Sequence, residues 1–193
     1  MRRTFAIGVL TSVIALVVSL IGTAPTLADT TDPDAPSSGP GPGETLRVTV
    51  HHNRFANVGQ RAPRVRFGQV DVYDNYFYAT DEDTYSYSWG IGVFASVYAE
   101  NNLVLRSGDI PLDAVVFDWR GTAPGGLTEV GSMTRVGTGA VTAVSFLDAY
   151  NATHEPDLPG AGWVPALRAA AADPTDQVQA LVTAKAGAGK LGI

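Results

Sequence analysis

A strand pattern that ends three times in asparagine constrains this chain more than any other feature. Val-Thr-Val-His-His-Asn53, Val-Asp-Val-Tyr-Asp-Asn75 and Val-Tyr-Ala-Glu-Asn-Asn102 each open on alternating apolar residues and close on Asn. Alternation with period two marks strands, since successive side chains point to opposite faces. The asparagines are 22 and 27 residues apart. A period in the twenties, with one strand and one turn per repeat, suits a parallel β-solenoid. Stacked Asn side chains would there bond one another along the axis. An antiparallel β-domain with Asn in ordinary turns meets the same spacing, and spacing alone leaves both open. The solenoid makes a sharp expectation: the three valine strands are neighbouring parallel rungs, and Asn53, Asn75 and Asn102 lie close together.

Between the first two copies runs a basic loop. Residues 45–70 hold five arginines, Arg47, Arg54, Arg61, Arg64 and Arg66, and no acid. Residues 71–83 invert this, with five acids and no Lys or Arg. The whole chain carries a formal net charge of −6, which argues against general binding of nucleic acid or anionic membranes. Any polyanion must be met locally, by the arginine loop or through a bound cation. There are no cysteines, so packing and hydrogen bonds must hold the fold without disulfides.

Residues 1–28 read as an export signal, with Arg2 and Arg3, a long apolar run and a small-residue cleavage site at Thr26-Leu27-Ala28. An uncleaved anchor is the competing reading of a run this long. Arg-Arg-x-Phe at the start hints at twin-arginine export, though the rest of that motif is missing. Cleavage would take the net charge to −8. Residues 29–45, rich in Pro, Gly, Ser and Asp, read as a linker that cannot offset its own ordering entropy.

Beyond the repeats, Tyr-Ser-Tyr-Ser-Trp-Gly-Ile-Gly-Val93 is aromatic and glycine-rich, as a close backbone approach beside a solenoid requires. Residues 103–145 read as further short strands and loops, and the tail has helix-forming stretches at 164–172 and 177–186. Gly-Ala-Gly-Lys190 lacks the strand, loop length and Ser/Thr of a phosphate loop. His51 and His52 should point to opposite faces of a strand, so they are poor joint metal ligands, and His154 lies far off. Asp81-Glu82-Asp83 reads as a solvated run. No metal ligand is assigned.

Read together, Val-Thr-Val-His-His-Asn53, Gln-Arg-Ala-Pro-Arg-Val-Arg-Phe-Gly68 and Val-Asp-Val-Tyr-Asp-Asn75 closely resemble the pectate lyases of polysaccharide lyase family 1. Tyr-Ser-Trp-Gly-Ile-Gly92, the Val97 repeat and the Ala-Gly-Ala-Gly-Lys190 ending resemble the same family, so that the likeness covers residues 46–193 and the C-terminal half of a member. The resemblance implies an all-β, right-handed parallel β-helix, here a truncated solenoid with an irregular, partly helical C-terminal tail. It implies a secreted protein whose partner is polygalacturonate (pectin), cleaved by β-elimination. Arg61 matches the arginine that takes the C5 proton and Arg66 the one that binds a substrate carboxylate, with Arg64 beside them as a second substrate-binding arginine.

A guanidinium holds its proton through the ordinary pH range, so such a base needs neighbouring cations and desolvation. The resemblance also implies Ca2+, which would stabilise the enolate-like charge that develops on the sugar. Its usual ligands belong to the half of a member that precedes Leu46, where this chain reads as signal and linker. Asp71 and Asp74 stand where the family commonly has His and Asn, and are expected to add negative charge beside the arginine loop. The chain alone is therefore expected to be a weak or inactive lyase built on about three rungs. A polyuronate-binding module without turnover, or a structural remnant, are the competing readings.

Overall fold

The computed structural model describes residues 46–168 and 170–187. The export signal, the linker and the 188–193 ending therefore lie outside the described residues. Among those described, no helix is long and apolar enough to cross a membrane.

The chain winds into a parallel β-helix with three faces. The first face stacks β1 (Arg47–His51), β4 (Gly68–Tyr73), β7 (Ala95–Glu100) and β10 (Gly126–Val130), all parallel. The second stacks β2 (Arg54–Ala56), β5 (Tyr76–Ala79), β8 (Leu103–Arg106) and β11 (Met133–Val136), with short β12 (Thr142–Ala143) antiparallel at its end. The third stacks β3 (Arg64–Val65), β6 (Trp89–Ile91) and β9 (Val116–Asp118). The solenoid expectation is met at residue level: Val48 pairs with Val70 and Val70 with Val97, while Val50 pairs with Val72 and Val72 with Ala99. The first face has four rungs rather than three, because Gly126–Val130 forms a strand that carries no asparagine.

One residue in the left-handed region bends each rung from the first face to the second. His52, Asp74, Asn101 and Gly131 have φ of 54°, 52°, 50° and 65°. The next residue is the ladder position, occupied by Asn53, Asn75, Asn102 and Ser132. Asn75 is fully used. Its amide Nδ2 donates to the carbonyls of Val50 (2.8 Å) and Tyr73 (3.0 Å) and to Asn102 Oδ1 (3.1 Å). Its Oδ1 accepts from the Asn53 backbone N–H (3.1 Å) and Nδ2 (3.2 Å). Asn102 repeats the pattern one rung on, donating to Val72 O at 2.8 Å. The second bend, into the first face, uses Phe67, Phe94 and Gly125, also at positive φ.

Inward residues recur with the rungs. Val70, Val72, Val97, Ala99 and Leu127 from the first face meet Phe77 and Val104 from the second and Val65, Trp89, Ile91 and Val116 from the third. Phe55 stacks on Phe77, and Trp89 stands edge-on between Phe77 and Phe146. Phe146 opens a six-residue helix, α1 (Phe146–Asn151), just past the 103–145 stretch that the sequence reads as strands and loops. Its start was written in Ser145-x-x-Asp148: Ser145 Oγ accepts the Asp148 N–H at 3.0 Å.

The C-terminal segment covers two faces. Residues 159–168 run over the first, where Arg168 forks onto Asp71 (2.6 and 2.7 Å), also bonds Glu100, and lies over the Tyr73 ring. Helix α2 (Thr175–Lys185) lays Val178 and Val182 against Tyr76, Leu103 and Leu105 of the second. Helix was expected at 164–172 as well. Those described residues instead follow an irregular path, since the ion pairs of Arg168 outweigh the modest helix preference of its alanine neighbours.

The ladder sets a testable hierarchy. Asn75→Ala strips partners from buried carbonyls on two rungs and should cost on the order of 2–4 kcal/mol. Asn53→Ala, on the first described rung where the side chain is exposed, should cost under about 1 kcal/mol. Urea denaturation of both variants checks the ranking, and equal losses would contradict it.

Candidate functional site

The third face is the one that the described C-terminal segment leaves uncovered, and the arginines gather there. Arg61 sits in the turn entering β3 with φ of 67°, just before the cis Ala62–Pro63 bond, and its side chain is exposed. Arg66 directly follows β3 and is also exposed, with its guanidinium near the Phe67 ring. Neither makes an ion pair among the described residues. Both open to solvent at the two ends of one short strand.

Arg64 lies on the strand between them, half-buried. It meets no acid among the described residues: its guanidinium lies 4.3 Å from the centre of the Trp119 ring, a cation–π contact. Its Nε is buried with no hydrogen-bond partner among the described residues. Trp119 packs on Phe117, with centroids 4.5 Å apart, and Tyr87 completes the cluster. Phe117 and Trp119 are 39% and 43% exposed, so aromatic surface lies open beside the arginines.

Two glycines explain why the arginines can lie flat on the next rung. A Cβ at Gly90 would stand 2.8 Å from the Tyr87 ring and 3.1 Å from Arg64 Cγ. A Cβ at Gly92 would stand 2.6 Å from Val65 O and 2.7 Å from Arg66 Cγ. The close approach read from Trp-Gly-Ile-Gly92 is therefore the seat of Arg64 and Arg66. On the same strand stack, Asp118 is taken by Arg120 through two guanidinium hydrogen bonds of 2.8 and 3.0 Å.

Asp71 and Asp74 are not beside the arginine loop, contrary to expectation. Asp71 points outward from the first face to Arg168, whose own pKa its hydrogen bonds raise. Asp74 occupies the first corner, with His52 one rung away. The opposite-faces argument for the two histidines fails because His52 leaves the strand at positive φ. His51 Nδ1 and His52 Nδ1 are 2.8 Å apart, and the His51 ring stacks flat on Tyr73. Burial, then His52, lowers the His51 pKa. His52 Nε2 lies 2.9 Å from Asp173 Oδ2 and 3.8 Å from Asp74 Oδ2. The Asp173 N–H donates to Asp74 Oδ2 at 2.9 Å.

Calcium takes six to eight oxygens. Among the described residues, a group of three His or acid side chains able to share an ion occurs at the first corner, not around Arg61 to Arg66, and it includes a nitrogen. Asp81, Glu82 and Asp83 are exposed. The described residues thus do not fit the calcium site that the family resemblance implies.

A family model described as pectate lyase matches residues 34–191. A pectate lyase of Bacillus subtilis (strain 168) is 36% identical over 152 residues, which are 76% of this chain and 32% of that protein. A thermostable pectate lyase of known structure superposes with a TM-score of 0.67 at 36% identity, over 75% of this chain and 35% of its own. A pectate lyase bound to hexasaccharide superposes with a TM-score of 0.62 at 32% identity, over 75% and 33% of the two chains. The chain thus spans about a third of the length of each, less than the half that its motifs suggested.

The first corner predicts a pH dependence. Burial pushes the Asp74 carboxyl up to about 6. A carboxyl raised in the fold stabilises it when protonated, so this contribution is present below about pH 4 and is lost as pH climbs through about 6. In metal-free buffer, Asp74→Asn should remove that slope and gain on the order of 2 kcal/mol relative to the parent at pH 7. Denaturation at pH 4.5 and pH 7 checks it, and parallel curves for parent and variant would contradict it.

Proposed function

The chain belongs to the pectate lyase family, and on that premise we propose that it grips polygalacturonate along the third face and cleaves it by β-elimination. Uronate carboxylates meet Arg66 and Arg64, whose planar guanidinium suits paired hydrogen bonds to carboxylate. Sugar faces rest against Phe117 and Trp119. Arg61 takes the C5 proton. Its exposed position means that the bound polymer itself must supply the desolvation such a base needs. One observation carries this reading: three arginines, two of them seated on glycines, share with open aromatic rings the one face left uncovered by the described tail.

The rate is expected to be low. The described residues around these arginines hold no cluster of acids for a cation, so the arginines alone answer the charge that develops on the sugar. Losing one electrostatic stabiliser of this kind costs on the order of 10²–10³ in rate. Binding survives better than cutting, and this favours the second reading, a polyuronate-binding module, as the limiting case. The protein works outside the cell, exported by residues 1–28.

The test uses chain recovered from culture medium, with its N-terminus expected at Asp29, mixed with polygalacturonate with and without calcium. Ultraviolet absorbance of the unsaturated product should rise slowly and vanish in Arg61→Ala, which should still bind the polymer. Arg66→Ala should weaken binding. Product formed equally by Arg61→Ala, or no binding at all, would overturn the proposal. Robust calcium-dependent turnover by the parent would contradict the low rate and show that acids of this chain hold the cation.

A further inference from the structure

The solenoid's repeat brings the same turn position of successive rungs into a column. At the first corner that column is His52, Asp74, Asn101 and Gly131, and the C-terminal segment crosses it. Asn101 Nδ2 donates to Asp173 O at 2.8 Å, and Thr175 Oγ1 to Gly131 O at 2.7 Å. The crossing lays Asp173 against His52 and Asp74. One ligand atom from each of these three residues lies within 4.8 Å of the others.

Hydrogen bonding does not account for this group fully. Asp74 is 0% exposed, yet its Oδ1 has no hydrogen-bond partner among the described residues. A buried carboxylate oxygen left unpaired is costly, and such atoms call for an explanation. His52 presents Nε2 to the two carboxylates, while its Nδ1 meets His51 Nδ1 at 2.8 Å. One ring nitrogen must donate in that contact. Nε2 is the donor to Asp173 Oδ2 at 2.9 Å, since a carboxylate only accepts. An ion entering there would displace that proton, and Nδ1 would then carry the proton it shares with His51 Nδ1, the tautomer of a metal-binding imidazole held by an outer partner.

We propose that His52, Asp74 and Asp173 form a binding site for one first-row divalent transition ion, with Zn2+ as the probe ion, and that His51 orients His52 within it. The donor set of one imidazole nitrogen and two carboxylates matches Zn2+ and its neighbours better than Ca2+, which takes oxygens alone. Three protein ligands leave a fourth position to solvent. The ion would tie two rungs to the tail at the corner where the tail turns from the first face to the second. It would serve a chain that has no cysteines as a staple. It lies away from the arginine face and does not depend on the proposed lyase activity.

The experiment treats the full chain with EDTA, dialyses it, and titrates ZnCl2 in a calorimeter and in a thermal melt, with CaCl2 alongside. One equivalent of Zn2+ should bind and raise the melting temperature, while Ca2+ should do neither. Asp74→Asn keeps the side chain's size and should weaken binding more than tenfold, and His51→Ala by about ten- to a hundredfold. Co2+ in place of Zn2+ should give visible d–d absorption that Asp74→Asn removes, a readout independent of stability. No stoichiometric uptake, or uptake and cobalt absorption unchanged in Asp74→Asn, would overturn the proposal.

Discussion

Everything in this molecule depends on the column of hydrogen bonds through Asn53, Asn75 and Asn102. A parallel solenoid has no hairpins to fix strand register, so register must come from inside the stack. A buried amide that donates to its own rung and to both neighbours does this, because a slip of one residue would strand several buried carbonyls at once. Once that register is set, equivalent positions recur about one strand spacing apart. Valines fall on valines, Phe55 on Phe77, and one residue per rung takes the left-handed turn at the corner.

The same recurrence divides labour among the faces. Rung stacking buries the inside but leaves three outer faces, two of which the tail covers with opposite chemistry. On the first, Arg168 closes over Asp71 and Glu100, so acids carried by the strands are neutralised locally. On the second, helix α2 seals an apolar strip. Among the described residues, the third face receives neither. Within those residues, an acidic chain thereby leaves Arg61, Arg64 and Arg66 without an ion pair, the third face's own Asp118 being held by Arg120, as an arginine site for a polyanion requires.

Much of this was legible in the residues. The shared strand-then-asparagine pattern placed three of the rungs once the family resemblance favoured a solenoid, and the motif picked out Arg61, Arg64 and Arg66. What escaped depended on contacts that sequence distance hides. Asp71 and Arg168 are 97 residues apart, so the acid looked free beside the arginines and the arginine looked like part of a helix. The fourth rung was missed because Gly131-Ser132 stands where earlier rungs carry asparagine. The first-corner cluster was missed because alternation was extended one residue past the end of β1. His52 and Asp74 belong to the bend, where period-two reasoning stops and only the column of equivalent turn positions shows which side chains meet. The pairing of an αL residue with the following Asn was a signal available in all three repeats.

The proposed polyuronate site on the third face has a footprint that amide hydrogen exchange, read by mass spectrometry with and without a saturating galacturonate oligomer, would reveal. Protection is expected only in peptides spanning 61–67, 87–92 and 116–120, with those of the first corner and α2 unchanged. Protection centred on α2 or on residues 159–168, with the arginine face unaffected, would contradict it.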